Sequence, residues 1–391
     1  MAEHDHRAYL LTGVTGFLGS HLMALLLQRG SRVLALGRRA DGRGLNERVK
    51  SLLEWFRIAG LSSRLEVFEA DLVKPDLGLD LYDYRKVRRE KPVIIHCASD
   101  TRFSERNRRA STEINVHSLK GIIRLAKDSG SPFFHYISTA YVAGRSLSTS
   151  YEIPVADPKF SNVYEETKGT AEKEVSGLCA AHGIPYAITR PSIVYGDSRT
   201  GRSNRFNALY YHVRSLQIIR DIYTADILER SGTKSDKLGI HLGPDGTLHM
   251  PLRIFVAGAG YINLIPIDYF TAAMAKILEN ARPGSIYHAT DDNPKTIGQL
   301  AGYCERFLNM KGIQIIYGNQ NGGPELNPPE EVFNKLIQPY LPYLCDTRRF
   351  DKSNTLKITG GLATPEITYE VFERCMNYAV SVSWGKRGRT L

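Results

Sequence analysis

From residue 7 to about residue 196 the chain alternates short apolar runs, many of them β-branched, with longer segments whose apolar positions recur every three to four residues. Such alternation predicts parallel strands joined by crossover helices, an α/β fold with a doubly wound parallel sheet. Strands are expected at 8–12, 32–37, 65–69, 92–97, 132–138 and 186–191, with amphipathic helices between most of them. Six strands is the number of a dinucleotide-binding sheet. Past residue 197 the pattern blurs. Glycine, proline and polar residues dominate 197–204 and 232–251, around a helical stretch from 206 to about 229. A strand-and-helix signal returns at 261–279 and a short strand at 285–289, so the chain is expected to revisit the first domain before a final helical segment. The expected division is a nucleotide-binding domain over 1–198 with a return over about 261–295. A smaller, mainly helical C-terminal substrate-binding region takes 199–260 and 296–391. Residues 319–329, rich in Asn, Gly and Pro, read as an exposed loop.

Composition narrows the classes. With 391 residues, 42% of them hydrophobic, the chain can bury a large core. Its longest apolar runs, 22–27 and 93–95, fall far short of the roughly 20 residues that cross a bilayer, so no transmembrane segment is expected. The polar start, Met1 to Arg7, lacks the apolar core of a signal peptide, which suggests a cytoplasmic protein. Five widely spaced cysteines without a C-x-x-C pair argue for reduced thiols and against a metal site or a disulfide framework. A net charge of +10 and a pI near 9.2 favour anionic partners. The basic clusters at Arg38-Arg39, 85–91, 102–109 and 386–389 are scattered and not interleaved with stacking aromatics, so they read as solvated faces and nucleic acid is not expected.

The first strand runs into Thr12-Gly13-Val14-Thr15-Gly16-Phe17-Leu18-Gly19, a G-x-x-G-x-x-G turn opening a helix. Gly13 permits the tight turn, Gly16 admits a pyrophosphate close to the backbone, and Gly19 lets the helix pack on the strand. The helix N-terminus then offers free N–H groups and a partial positive charge to the phosphates. Gly13, Thr15, Gly16, Phe17, Leu18 and Gly19 are therefore the candidate cradle of a Rossmann-type domain. At the end of the second strand, where an NAD-binding domain normally carries Asp or Glu, stands Gly37-Arg38-Arg39. Arginine suits a 2′-phosphate, which points to NADP(H), with Arg38 the first candidate and Arg39 or Arg48 the second. Asp71 and Leu72, after the third strand, are placed either to meet the adenine edge or to end the strand in a turn.

Tyr164 and Lys168 lie four residues apart, on one face of a predicted helix. A phenol titrating near 10 is a sluggish acid or base at neutral pH. A lysine charge at about 4 Å, in an effective dielectric near 20, would favour the phenolate by about 4 kcal/mol, or about three pKa units. Twenty-five positions earlier, Ser138-Thr139 ends a strand with two hydroxyls. One of them, with Thr139 preferred, could hold a carbonyl oxygen beside Tyr164 while hydride arrives.

With these motifs in view, the chain resembles an extended short-chain dehydrogenase of the male-sterility branch, which includes fatty acyl-CoA reductases and thioester reductase domains. The resemblance covers residues 8 to about 300. It rests on the glycine turn, Ala70-Asp71-Leu72, His96-Cys97-Ala98-Ser99 followed by Phe103, Ser138-Thr139-Ala140-Tyr141, and Tyr164 with Lys168 and Glu172. Most telling are Thr189 to Gly201 and Asn263 to Tyr269, which sugar epimerases rarely show in this form. It implies that Thr139, Tyr164 and Lys168 carry catalysis, and that Cys97, Ala98 and Ser99 with Pro191, Ser192, Ile193 and Val194 flank the cofactor. Arg38 and Arg48 would read its 2′-phosphate. The implied substrate is an acyl thioester on coenzyme A or on an acyl or peptidyl carrier protein, reduced to an aldehyde that leaves or is reduced again. Two departures stand out: Gly169 replaces a bulkier residue beside the lysine, and Ser118-Leu119 replaces a glycine usual after Asn115-Val116. The rivals are a nucleotide-sugar epimerase or dehydratase, against which Arg38 speaks, a ketone or hydroxysteroid-type reductase, and an NADP-binding sensor without turnover.

Overall fold

A computed structural model describes residues 7–40, 42–145, 148–318 and 325–385. Residues 319–324 of the expected exposed loop, the basic 386–389 and the first six residues lie outside them. The chain divides into two units. The first comprises Met1–Ser192, Tyr269–Thr290 and Phe350–Ala363, and the second Ile193–Asp268, Asp291–Arg349 and Thr364–Leu391.

In the first unit, β1 (Ala8–Thr12), β2 (Arg32–Gly37), β3 (Leu65–Glu69), β4 (Val93–His96), β5 (Phe134–Ile137) and β6 (Tyr186–Pro191) occupy the six expected positions, two of them trimmed by a residue or two at each end. With the strand Ser285–Ala289 they form a seven-stranded sheet in the order β3-β2-β1-β4-β5-β6-(285–289), every neighbouring pair parallel. The central strands are apolar on both faces: Leu10, Leu11 and Val33 through Leu36 are all fully buried. Helices on both sides of a parallel sheet demand that pattern. Register aligns the carboxyl ends, Thr12 lying opposite Leu36 and His96, and Ile137 opposite Thr189. The order reverses between β1 and β4, which opens a crevice at that edge where dinucleotide folds bind ligand. The last return, Phe350–Ala363, has no counterpart in the pattern; its helix Ser353–Thr359 packs on the strand Ser285–Ala289.

The second unit carries a sheet that the pattern did not suggest. Strand Leu248–Val256 pairs antiparallel with His241–Leu242 and parallel with Met310–Tyr317. Around it the helices Leu209–Glu229, Ile297–Leu308, Pro328–Ile337 and Tyr369–Ser381 bury Val213, Leu252, Leu300, Phe333 and Phe372 in one core. Pro251 argues against a strand here because it cannot donate to a ladder. The structure accommodates it with a bulge: the register slips between Lys311 and Ile313, and Gly312, at φ +113°, faces Met250 and Pro251. No helix among the described residues is long and apolar enough to cross a membrane.

Candidate active site

The glycine turn is closed by contacts that tolerate no side chain. A Cβ on Gly13, which sits at φ +71°, would stand 2.6 Å from the Ala98 nitrogen, and one on Gly19 would stand 2.2 Å from the Gly13 carbonyl oxygen. Gly13 brings the ends of β1 and β4 together, and Gly19 lets the following helix close on the turn. Thr12 fastens the same junction, its hydroxyl accepting from the Cys97 and Ala98 amides, both at 3.2 Å. The exposed Gly16 caps helix α1 (Phe17–Gln28) through its backbone alone, with no side chain on the first-turn N–H groups. An anion-ready helix start behind a cradle that a Cβ would fill fits the pyrophosphate of a dinucleotide.

Arginines gather beside this turn. Arg48, on the helix Leu45–Phe56, donates to the Thr15 hydroxyl at 2.8 Å and to the Arg38 carbonyl at 3.0 Å, tying the glycine turn to the end of β2. The Arg38 side chain is exposed. Arg39 stands 3.7 Å from Glu69, whose other carboxylate oxygen accepts from the Leu45 amide. Asp71 accepts from the Val73 amide at 3.3 Å, so its carboxylate closes the turn after β3, with the half-buried Leu72 beside it.

At the carboxyl end of β5, Thr139 is buried and caps the short turn Ala140–Ala143 by accepting from the Tyr141 amide; its hydroxyl donates to the Pro191 carbonyl at 3.4 Å. The helix Val163–Ala181 starts at Asn162, which accepts from the Glu165 amide. Its first turn sets the Tyr164 phenol beside the Thr139 hydroxyl and its ring 6.1 Å from that of Phe103. Lys168 is buried; its Nζ donates to the Ile137 carbonyl at 2.6 Å and lies 4.3 Å from the centre of the Tyr136 ring. The expectation that the lysine charge brings Tyr164 near neutral is overturned in this arrangement. The ammonium is directed at a carbonyl and a ring face, and burial pushes the phenol up to about 12, with the Thr139 hydrogen bond opposing. Burial likewise brings Lys168 down to about 8, against the pull of Cys97 and Glu172. At that value the Tyr164 phenol is protonated at neutral pH.

Cys97, Ala98 and Ser99 leave β4 partly exposed next to Gly13. Burial raises the Cys97 thiol to about 12, Lys168 opposing, so it stays protonated. Pro191 ends β6 and Ser192 follows it in the first unit, while Ile193 and Val194 begin the second and pair there with Leu264 and Ile265. Gly169 is explained by Phe160, whose ring would stand 2.4 Å from a Cβ there; the bulk expected beside the lysine comes from another segment. Asn115, noted only as a motif position, proves central. Within a turn of π-helix, Glu113–His117, its side chain accepts from the Asp100 amide at 2.7 Å and the Ser99 hydroxyl at 3.1 Å. It donates to the Asp100 carbonyl and to Thr167, next to Lys168. Such single π-turns concentrate at functional sites. A buried asparagine just before an apolar helix was the available signal.

The fold is that of the extended short-chain dehydrogenase type, built on a dinucleotide-binding sheet. The chain belongs to the male sterility protein family, whose pattern matches residues 11–274. It is 30% identical over 192 residues to the hybrid PKS-NRPS synthetase pvhA of Talaromyces variabilis, a match over 48% of this chain and 4% of that much longer protein. Among solved structures, the terminal R domain from the myxalamid PKS-NRPS pathway has a TM-score of 0.75 at 22% identity, over 97% of this chain and 92% of that one. A thiolation-reductase di-domain from an archaeal non-ribosomal peptide synthetase has 0.69 at 17%, over 98% and 77%. Nucleotide-sugar epimerases and dehydratases with NAD bound share the fold at 0.63 to 0.65.

Proposed function

We propose that this protein is an NADPH-dependent reductase that converts a carrier- or coenzyme A-bound acyl thioester to an aldehyde. The observation that carries this reading is the Thr139–Tyr164 pair, a buried hydroxyl beside a phenol that burial keeps protonated at neutral pH. Epimerases and dehydratases begin by taking a proton from a sugar hydroxyl, which asks for a phenolate. A reductase begins with a donor. The bound cofactor supplies hydride. Thr139, turning its weak bond from the Pro191 carbonyl, and Tyr164 donate to the thioester oxygen and hold the negative charge that develops there. Tyr164 then gives its proton, leaving a hemithioacetal that collapses to aldehyde and thiol. Lys168, fixed by the Ile137 carbonyl, keeps a positive charge near the site that stabilises the phenolate left when Tyr164 gives up its proton.

The cofactor preference rests on Arg38 and Arg48 and on the absence of an acid directly ending β2. The carrier rests on the relatives' names, a PKS-NRPS synthetase and a thiolation-reductase di-domain, and on a net charge of +10 that suits an acidic carrier. The test is thiol release coupled to NADPH oxidation from acyl-CoA and acyl-carrier substrates, with a ketone and a UDP-sugar alongside. Turnover of either of the latter two, with no thiol from any chain length, moves the protein to a rival class.

A further inference from the structure

Arg190, near the end of β6, has no exposed surface, and its guanidinium is satisfied on every side. Nε and Nη2 pair with the two carboxylate oxygens of Glu172 at 2.9 and 2.6 Å. Glu172 stands one turn beyond Lys168 on the helix Val163–Ala181. Nη1 donates to the Ile153 carbonyl at 3.1 Å and reaches the Tyr151 carbonyl at 3.4 Å. Its remaining neighbour is His288 Nε2 at 3.4 Å, which accepts because Nδ1–H is engaged with the Asp351 carbonyl at 2.7 Å. Between the two carbonyls held by Arg190, Glu152 turns inward while Tyr151 and Ile153 face solvent. The Glu152 carboxylate accepts from the His288 amide at 2.6 Å, from the Asn354 amide, and from the amide and hydroxyl of Thr355. Two residues earlier, the Ser150 carbonyl accepts from the Asp351 amide at 2.8 Å. The segment 148–160 is thus clasped from two sides, by Arg190 and by the return Phe350–Ala363, all within the first unit.

That segment runs from the turn behind Thr139 to the start of the helix that carries Tyr164, and its base is closed by the Arg145 amide donating to the Lys159 carbonyl at 2.8 Å. We propose that Glu152 is a positioning residue for proton transfer: it locks the segment 148–160 onto residues 354–355 and so fixes Thr139 and Tyr164 relative to each other. Glu152 touches neither of them. Its charge is held by four N–H and O–H donors, which an uncharged or shorter side chain leaves unsatisfied or misaligned. This inference rests on the reading of Thr139 and Tyr164 as the groups that hold and protonate the substrate oxygen.

Three variants and two readouts test it. Glu152→Gln keeps the size but presents an amide nitrogen to N–H donors. Thr355→Val removes one donor and leaves the carboxylate, and Thr355→Ser restores the hydroxyl. With an acyl thioester and a simple aldehyde as substrates, Glu152→Gln is expected to lower kcat about ten- to a hundredfold, while the NADPH Kd changes by less than about twofold. Thr355→Val is expected to lower kcat about fivefold and Thr355→Ser to recover it. Hydrogen exchange of peptides from 148–160 should quicken in the same order. A folded Glu152→Gln protein with wild-type kcat overturns the proposal, as does faster exchange without loss of kcat. Should Glu152→Gln fail to fold, the Thr355 pair decides by the same criteria. A wild-type chain inert toward both substrates sinks the reductase reading instead. The exchange arm then still judges the lock, and unchanged exchange in the variants overturns it.

Discussion

The glycine turn and the Pro251 strand both depend on a glycine that admits a neighbouring backbone, yet only one of them announced itself in the sequence. At the turn, Gly13, Gly16 and Gly19 are three apart and follow an apolar strand, so a local spacing encodes the close approach. In the second unit, Gly312 answers Met250 and Pro251 from 61 or more positions away, and nothing near either partner reports the other. Local constraints write themselves as motifs; pairings between distant segments leave only an exception, here a proline where a strand ought to be.

The two regions should also fail differently. The largest effect is expected in the first unit, where Tyr164→Phe should cut kcat by about a hundredfold or more while leaving NADPH affinity nearly intact, because the ring stays and only the proton donor goes. Steady-state kinetics with a separate binding titration check this, and residual activity above about a tenth of wild type would sink the assignment. Gly312→Ala should destabilise the second unit by about 2 kcal/mol or more, through its φ of +113° and a Cβ 2.3 Å from the Met250 carbonyl. Denaturant unfolding should show that loss without a change in NADPH affinity. A cofactor effect of equal size would erase the contrast between the regions.

A smaller effect separates the two arginines. Arg38→Ala should raise the NADPH Kd about tenfold and spare NADH, as loss of one charge-assisted contact to the 2′-phosphate. Arg48→Ala should weaken both cofactors, because Arg48 also braces Thr15. Identical behaviour of the two variants would show that one role has been misread. The smallest effect concerns pH. Lys168 titrates near 8 in the folded chain and near 10.5 when free, so between those values the unfolded chain binds more protons and stability gains with rising pH. Because the raised Cys97 thiol and Tyr164 phenol act in the opposite sense, the check is a difference: across that window the melting temperature of wild type should rise relative to that of Lys168→Met.

Much of the first unit could be read from the sequence because its strands are short apolar runs buried on both faces, and its turns carry residues with special backbone needs. The Tyr164 and Lys168 spacing was readable for the same local reason. Their electrostatics were not: spacing set both side chains on one helix face, but the Ile137 carbonyl and the Tyr136 ring, which hold the ammonium, come from β5. Asn115 and Arg190 escaped for a related reason. Each satisfies groups scattered over several elements, and a buried polar residue in a sequence looks like any other until its partners are assembled.

The clasp of Glu152 by Thr355 carries a consequence for biosynthesis. These partners are 203 residues apart, so a chain emerging from the ribosome presents its glycine turn, its six leading strands and its tyrosine helix long before the segment that completes them exists. Until about residue 363 has been made, the buried carboxylate has no Thr355 to bind and the edge strand Ser285–Ala289 no covering helix. The nucleotide-binding half therefore waits, partly assembled, while the 203 residues that follow Glu152, up to Thr355, are made. Nascent chains arrested before residue 350 should remain far more open to protease between residues 148 and 160 than chains released just beyond 363.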